Sequence, residues 1–175
     1  MRSRLAARPV RLVLTAVAAA ALTTTVAGTA LAVGGQSKAP AEQVCGTNDL
    51  TFKVTEKTQA GGYLLVTAKA RPGITCYLEG TFPSAGFGSH PDRQVTPAEQ
   101  AVTDDVKVSG TKVAYAGINP KSTNGNSGAE FDWMAIAVMG DEGNATDLRL
   151  PSTTLIDKPK STNWHANAAD AVPFD

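Results

Sequence analysis

Few side chains in this sequence are suited to chemistry, and their spacing limits what that chemistry is. Its only imidazoles are His90 and His165, and its only thiols are Cys45 and Cys76. A nucleophilic triad needs a Ser or Cys, a His base and an acid that orients it. Gly125-Asn126-Ser127-Gly128 superficially matches the Gly-Asp-Ser-Gly loop of chymotrypsin-like proteases. No Ala-Ala-His-Cys segment accompanies it, and the chain is too short for two barrels. A flexible Gly/Asn/Ser loop produces such a match by chance. His90 sits in the loop Gly88-Ser89-His90-Pro91, and His165 follows Trp164 in the tail. Without motif neighbours, both read as exposed histidines. A small hydrolase working through His90 or His165 therefore stands as an alternative function only.

Metal chemistry is no better supported. HxxxH, HExxH and CxxC spacings are all missing, so no metal and no cofactor are expected. Met134 and Met139 are soft enough for copper. Both lie in the most apolar stretch, where core packing accounts for them. Asp141-Glu142-Gly143-Asn144 with Asp147 is oxygen-rich, yet it lacks the alternating acids and terminal Glu of an EF-hand and reads as a solvated turn. Among 16 acidic residues no pair stands out as glycosidase carboxylates. Cys45 and Cys76 are too far apart, and too isolated, for a zinc knuckle or a redox CxxC. A disulfide is the expected use. It would close a loop of about 30 residues, which chain entropy values at roughly 3 to 4 kcal/mol.

The first 32 residues explain why oxidised cysteines are expected. Arg2, Arg4, Arg8 and Arg11 form a basic head, Leu12 to Val26 is apolar, and Ala30-Leu31-Ala32 supplies small residues before a cleavage point. This is the pattern of a Sec-type secretory signal peptide, 1–32, with cleavage after Ala32 or close to it. The apolar run is short for a membrane span, and no second one follows, so no integral membrane segment is expected after cleavage. A secreted, extracellular chain of 143 residues (175 less 32) would remain, enough for one domain. Four arginines leave the 16 basic residues and no acid leaves the 16 acidic ones, giving 12 against 16 and a net charge of −4. Without a basic stripe, neither nucleic acid nor an anionic membrane is a favoured partner. Leu150-Pro151-Ser152-Thr153-Thr154 imitates a sortase signal without its Gly, hydrophobic segment or basic tail, and no lipobox Cys follows the cleavage point. Free secretion is expected.

The elements that must position these residues alternate with period two. Residues 33–43 (VGGQSKAPAEQ) read as a flexible linker, and 44–175 as the domain. Leu50, Phe52 and Val54 predict a strand, and Leu64, Val66 and Ala68 its hairpin partner. Pro72-Gly73 predicts a type II turn before a third strand carrying Ile74, Cys76 and Leu78 on one face. Thr81–Thr96 is a long loop. Thr96-Pro97-Ala98-Glu99 predicts the start of one short helix, with Thr as N-cap, Pro at the first position and Glu three residues after the cap. Val106–Val108 and Lys112–Ile118 predict a hairpin around Ser109-Gly110-Thr111. Lys121–Ala129 is a flexible polar loop. Phe131–Met139 predicts a central strand, Leu148 and Leu150 a further one, and Leu155-Ile156 an edge. The remaining tail is expected to dock as a strap through Trp164 and Phe174. About seven short strands, one disulfide and at most one short helix give an all-β, immunoglobulin-like antiparallel β-sandwich.

Several of these segments form a familiar set. Cys45-Gly46-Thr47-Asn48-Asp49-Leu50 precedes Thr75-Cys76-Tyr77-Leu78-Glu79-Gly80 with Phe82-Pro83, then Ala114-Tyr115-Ala116-Gly117-Ile118, then Asn163-Trp164 and Ala171-Val172-Pro173-Phe174. Over about Val44–Phe174 the chain resembles the actinobacterial secreted family of domain of unknown function 4232. The resemblance implies an exported, disulfide-bonded β-sandwich and supplies no catalytic residues.

The expected function is that of a secreted, non-enzymatic binding or structural module. Its partner would be an extracellular protein or a cell-envelope component, and the protein itself a monomer. Phe82, Phe87 and His90 make Thr81–Thr96 the candidate binding loop, with Lys121–Ala129 as a second surface. The alternative for the two rings is burial under their own loop as a satellite core. An extracellular protease inhibitor presenting one long loop is the other functional alternative.

Overall fold

The computed structural model describes residues 43–174. The expected signal peptide, and the linker up to residue 42, lie outside the described residues. The strands in chain order are β1 (Gln43–Val44), β2 (Leu50–Lys57), β3 (Tyr63–Ala70), β4 (Thr75–Leu78), β5 (Ser84–Gly86) and β6 (Thr96–Pro97). They continue with β7 (Val106–Ser109), β8 (Val113–Asn119), β9 (Ala129–Ala137), β10 (Thr146–Ile156) and β11 (Lys160–Ser161). Seven of them have four residues or more, and the other four are pieces of two or three. Helical structure among the described residues is confined to 3-10 turns at Thr47–Asp49, Pro91–Arg93 and Glu142–Asn144. None of these helices is long and apolar enough to cross a membrane.

The alternation read from the sequence becomes a full ladder in β2 and β3, with Leu50 opposite Ala70 through to Lys57 opposite Tyr63. β3 then pairs with β8, so that Leu64, Val66 and Ala68 stand opposite Ile118, Ala116 and Ala114. Every one of these six is buried and all point to one core. That five-stranded sheet runs in the order β2-β3-β8-β11-β6, and two three-stranded sheets, β1-β4-β7 and β10-β9-β5, complete the sandwich. Cys76, Leu78, Val106 and Val108 from one small sheet, and Met134, Ile136 and Ile156 from the other, join the same core. β9 is the central strand of its sheet, as its apolar run predicts. The two cysteines are bonded across 5.0 Å between Cα atoms, and the Cys45 N–H donates to the Tyr77 carbonyl. The bridge thus fastens the chain ahead of β2 to β4, with Gln43 and Val44 already paired beside Cys76 and Tyr77.

Four expectations change. The hairpin around Ser109-Gly110-Thr111 keeps its turn, with Ser109 and Lys112 exchanging backbone bonds of 3.1 and 2.8 Å. Its arms part there, β7 pairing with β4 and β8 with β3, so the turn is a corner between sheets. Leu155-Ile156 is not a separate edge but the end of β10, which bulges between Arg149 and Thr154. The helix at Thr96 does not form. The Thr96 and Ala98 N–H groups donate to Pro159 and Ser161 carbonyls, making β6 a parallel partner of β11, and the Glu99 carboxylate is taken by Asn163 and His165. Tertiary partners override the local capping signal. Instead His90 caps the 3-10 turn of Pro91–Arg93, its Nδ1 accepting from Asp92 N at 3.3 Å.

The fourth change concerns the strap. Trp164 is buried and packs in a stacked arrangement with Phe52, ring centroids 6.3 Å apart. Phe174 does not dock, being 82% exposed. Ala171 and Pro173 replace it as anchors. They seat on Gly117, where any Cβ would collide with the Ala171 carbonyl oxygen and crowd the Pro173 ring. The strap thereby covers the outer face of the large sheet, where Tyr63, Leu65 and Tyr115 form a second, smaller apolar cluster with Ala168, Ala171 and Val172.

Candidate functional site

The chain after β4 makes a close crossing that shapes one surface. At Gly80 a side chain is excluded, because a Cβ would overlap the Thr103 backbone. The Thr103 N–H donates to the Gly80 carbonyl at 2.8 Å, and the Gly80 N–H reaches Asp105 Oδ1 at 3.3 Å. Trp164 N–H donates to the Thr81 carbonyl at 2.9 Å, so the tail locks onto the same crossing. Three segments meet there, and with Met139 from the turn after β9 their side chains enclose a depression of about 300 Å³. Phe82, Pro97, Ala101, Val102 and Met139 give it apolar walls. Val102 is 75% exposed, more than any other large aliphatic side chain among the described residues.

Glu99 and Asn163 stand on the polar side of this depression. The Glu99 carboxylate is fully engaged: Oε1 meets His165 Nε2 at 2.9 Å, and Oε2 accepts from Asn163 N–H at 3.2 Å. Asn163 Nδ2 donates to the Ala101 carbonyl at 2.7 Å. The His165 backbone is pinned by two 2.8 Å bonds with Tyr115. These polar groups fix the 97–103 segment against the tail, and the apolar walls face outward. The arrangement suits capture of an apolar group, a concave surface with few polar atoms.

The residues singled out by sequence fall in different places. Phe82 lines the depression. Phe87 does not, being fully buried in the main core, tilted against Phe131 with centroids 6.2 Å apart. It is neither a contact residue nor part of a satellite cluster. His90 is exposed at the tip of the 84–95 segment, 3.8 Å from Asp92. That segment folds back on itself, Phe87 N–H donating to Arg93 and Val95 N–H to Ala85. The sequence offers Met139 only as a soft metal ligand and Glu99 only as a helix-start residue. Its one signal for this depression is Val102, an aliphatic residue just ahead of the polar run Thr103–Asp105.

Among the described residues no Ser or Thr hydroxyl is bonded to either imidazole. His165, which the sequence reads as exposed, is only 16% exposed and meets Glu99, while His90 meets Asp92. Ser127 Oγ donates instead to Asp157 Oδ2 at 3.0 Å, and Thr123 Oγ1 donates to the same oxygen. The Thr123 hydroxyl first, then that of Ser127 and the charges of Lys121 and Arg93, hold the Asp157 carboxyl below its ordinary 3.8. The oxygen-rich turn is likewise committed to structure. Asp141 accepts from Asn144 Nδ2 and Thr47 N–H, both at 2.7 Å, and these bonds, the Asn144 amide foremost, lower its pKa. Among the described residues no three His, Cys, Asp or Glu side chains cluster as metal ligands would.

No curated protein and no solved structure matches this chain. The model of a family described as a domain of unknown function, DUF4232, matches residues 45–168. The match begins at the bridging cysteine and runs through Gly80, Phe82, Gly117 and Trp164 onto the strap. The chain therefore belongs to the DUF4232 family.

Proposed function

We propose that this protein is an exported binding module that takes an apolar side chain of an extracellular or cell-envelope partner into the depression around Phe82, Val102 and Met139. The observation that carries this reading is Val102, 75% exposed on a segment whose backbone and carboxylate are tied down from three directions. Val102 does not stand alone there: with Phe82, Pro97, Ala101 and Met139 it makes a contiguous apolar patch, the kind of surface that marks an interaction site. Export is supported by the tripartite pattern of residues 1–32 and by the Cys45–Cys76 bridge, which suits an oxidising compartment.

Site-specific crosslinking tests the reading. A photoreactive residue at Val102 in the otherwise intact protein should yield a discrete adduct in the producing cells or their medium. The same group at His90, exposed on another loop, is the control. Phe82→Ala should lower the yield at Val102 severalfold. Equal or absent labelling at the two positions would refute the reading.

A further inference from the structure

The outer face of the β10-β9-β5 sheet carries one large ring among very small residues. Trp133, Ala135 and Ala137 share that face by the two-residue period of β9, while Met134 and Ile136 point into the core. Across the ladder Ala135 faces Gly86, and Ala137 faces Ser84. The facing β5 residues themselves place nothing bulkier than a serine on that face, and Trp133 remains 39% exposed along a shallow trough of about 190 Å³. A solvent-facing Trp on a rigid sheet is an expensive residue to leave uncovered, and such rings are frequent anchors of binding.

Polar groups mark the two ends of the trough. At one end the Gln94 side chain lies across Gly86, where a Cβ would collide with its Oε1. Gln94 Nε2 is fixed by the Gly88 carbonyl at 2.8 Å, whereas Oε1 accepts no hydrogen bond among the described residues. At the other end Glu142 Oε1 accepts from Gly140 N–H at 2.9 Å. That bond first, aided by the Ser84 hydroxyl, lowers the Glu142 pKa and keeps the carboxylate charged. Charge then narrows the ligand. An anion entering the trough would meet Glu142. Opposite Trp133 on β10, Arg149 is paired with Asp132 at 3.1 Å, so no net charge flanks the ring to hold a cation there. What fits is a neutral molecule with a flat C–H face and hydroxyl donors at its rim.

We infer that this trough binds a neutral pyranose unit of a glycan, its C–H face on Trp133 and its hydroxyls donating to Gln94 Oε1 and Glu142. A pyranose with equatorial hydroxyls presents that combination, an apolar face ringed by donors. The rigid sheet and the fixed glutamine mean that little has to be ordered on binding. The site uses none of the residues of the Phe82 depression, so the two readings stand or fall separately.

Tryptophan fluorescence tests the inference on the intact, oxidised protein. Of the two tryptophans, Trp164 is 1% exposed, so acrylamide quenching reports on Trp133. Cellotetraose or tetra-N-acetylchitotetraose should protect Trp133 from quenching, with a Kd on the order of 10 µM to 1 mM. Tetragalacturonate, the anionic control, should not. Gln94→Ala and Ala135→Leu both retain the reporting ring, and each should weaken protection by about tenfold or more, the second by filling the floor of the trough. Circular dichroism confirms that each variant is folded. The inference is overturned by absence of protection with both neutral sugars, by protection unchanged in Ala135→Leu, by equal protection with tetragalacturonate, or by protection that depends on protein concentration alone, which would indicate a second copy as the occupant.

Discussion

Between β4 and β6 the chain is secured by an aromatic ring, and between β8 and β9 by a carboxylate. Phe87 has no exposed surface and drags the 84–95 segment onto the core, with its backbone folded on itself around it. The 121–129 segment has no such side chain. Buried Asp157 gathers it from outside, through the hydroxyls of Thr123 and Ser127 and the Ser122 N–H bonded to its carbonyl. Lys121 Nζ closes the inside of the loop by donating to the Gly125 carbonyl at 2.6 Å. Both segments are rich in Gly and Ser, and both become ordered. One anchor works by excluding water and is indifferent to pH. The other works by hydrogen bonds to a charge and is not.

This contrast can be broken from the Phe87 side first. Phe87→Ala should lower unfolding free energy by about 3 to 5 kcal/mol, the usual loss for a buried Phe, as measured by chemical denaturation. Reducing the disulfide, or replacing both cysteines by serine, should cost roughly 3 to 4 kcal/mol through the unfolded chain, and should loosen both segments alike. Asp157→Asn should act locally. Proteolytic cleavage within 121–129 should rise severalfold while 84–95 stays resistant, and equal cleavage of both would show that the carboxylate is not the anchor.

Acid offers a subtler separation. The Asp157 carboxyl titrates below its ordinary 3.8 when folded, so in that range the unfolded chain binds more protons than the folded one. Its stabilisation is present above 3.8 and is lost as pH falls through the depressed folded value. Hydrogen-exchange protection at the Ser122 amide should therefore decline below pH 3.8 before that at the Phe87 amide does. Simultaneous loss would erase the distinction. The smallest effect belongs to His90→Ala. This exposed cap of a single 3-10 turn should change stability by less than about 0.5 kcal/mol in thermal unfolding.

What the sequence disclosed was local order. The β2–β3 hairpin follows from strict alternation, and the Cys45–Cys76 bridge from two thiols with no other spacing that fits them. β9 follows from an apolar run ended by Gly140. What it concealed was long-range contact between backbones. Gly80 against Thr103 and Gly117 against Ala171 leave no periodic trace, because a missing side chain looks the same whether it makes a turn or admits another strand. The same blindness reversed two aromatics. Phe87 lies in a loop by composition yet fills the core, while Phe174 reads as an anchor whose role Ala171 and Pro173 perform. Thr96-Pro97-Ala98-Glu99 failed for a related reason, since its capping groups found better partners in the tail. Of the candidate site, Phe82 was legible. Val102 and Met139 became neighbours only through the Gly80 crossing.

The burial of Trp164 governs when this fold can be completed. Its ring reaches the core from the strap and lies against Phe52, on the strand that opens the domain. A chain synthesised from its N-terminus can pair β2 with β3 early, but it cannot close that core until Trp164 has been made. Contacts of such high sequence separation delay folding. Chains that stop short of Trp164 are left with an open hydrophobic seam, the kind of surface that chaperones retain. Closure of the core thus waits on Trp164, whatever β2 and β3 have already formed.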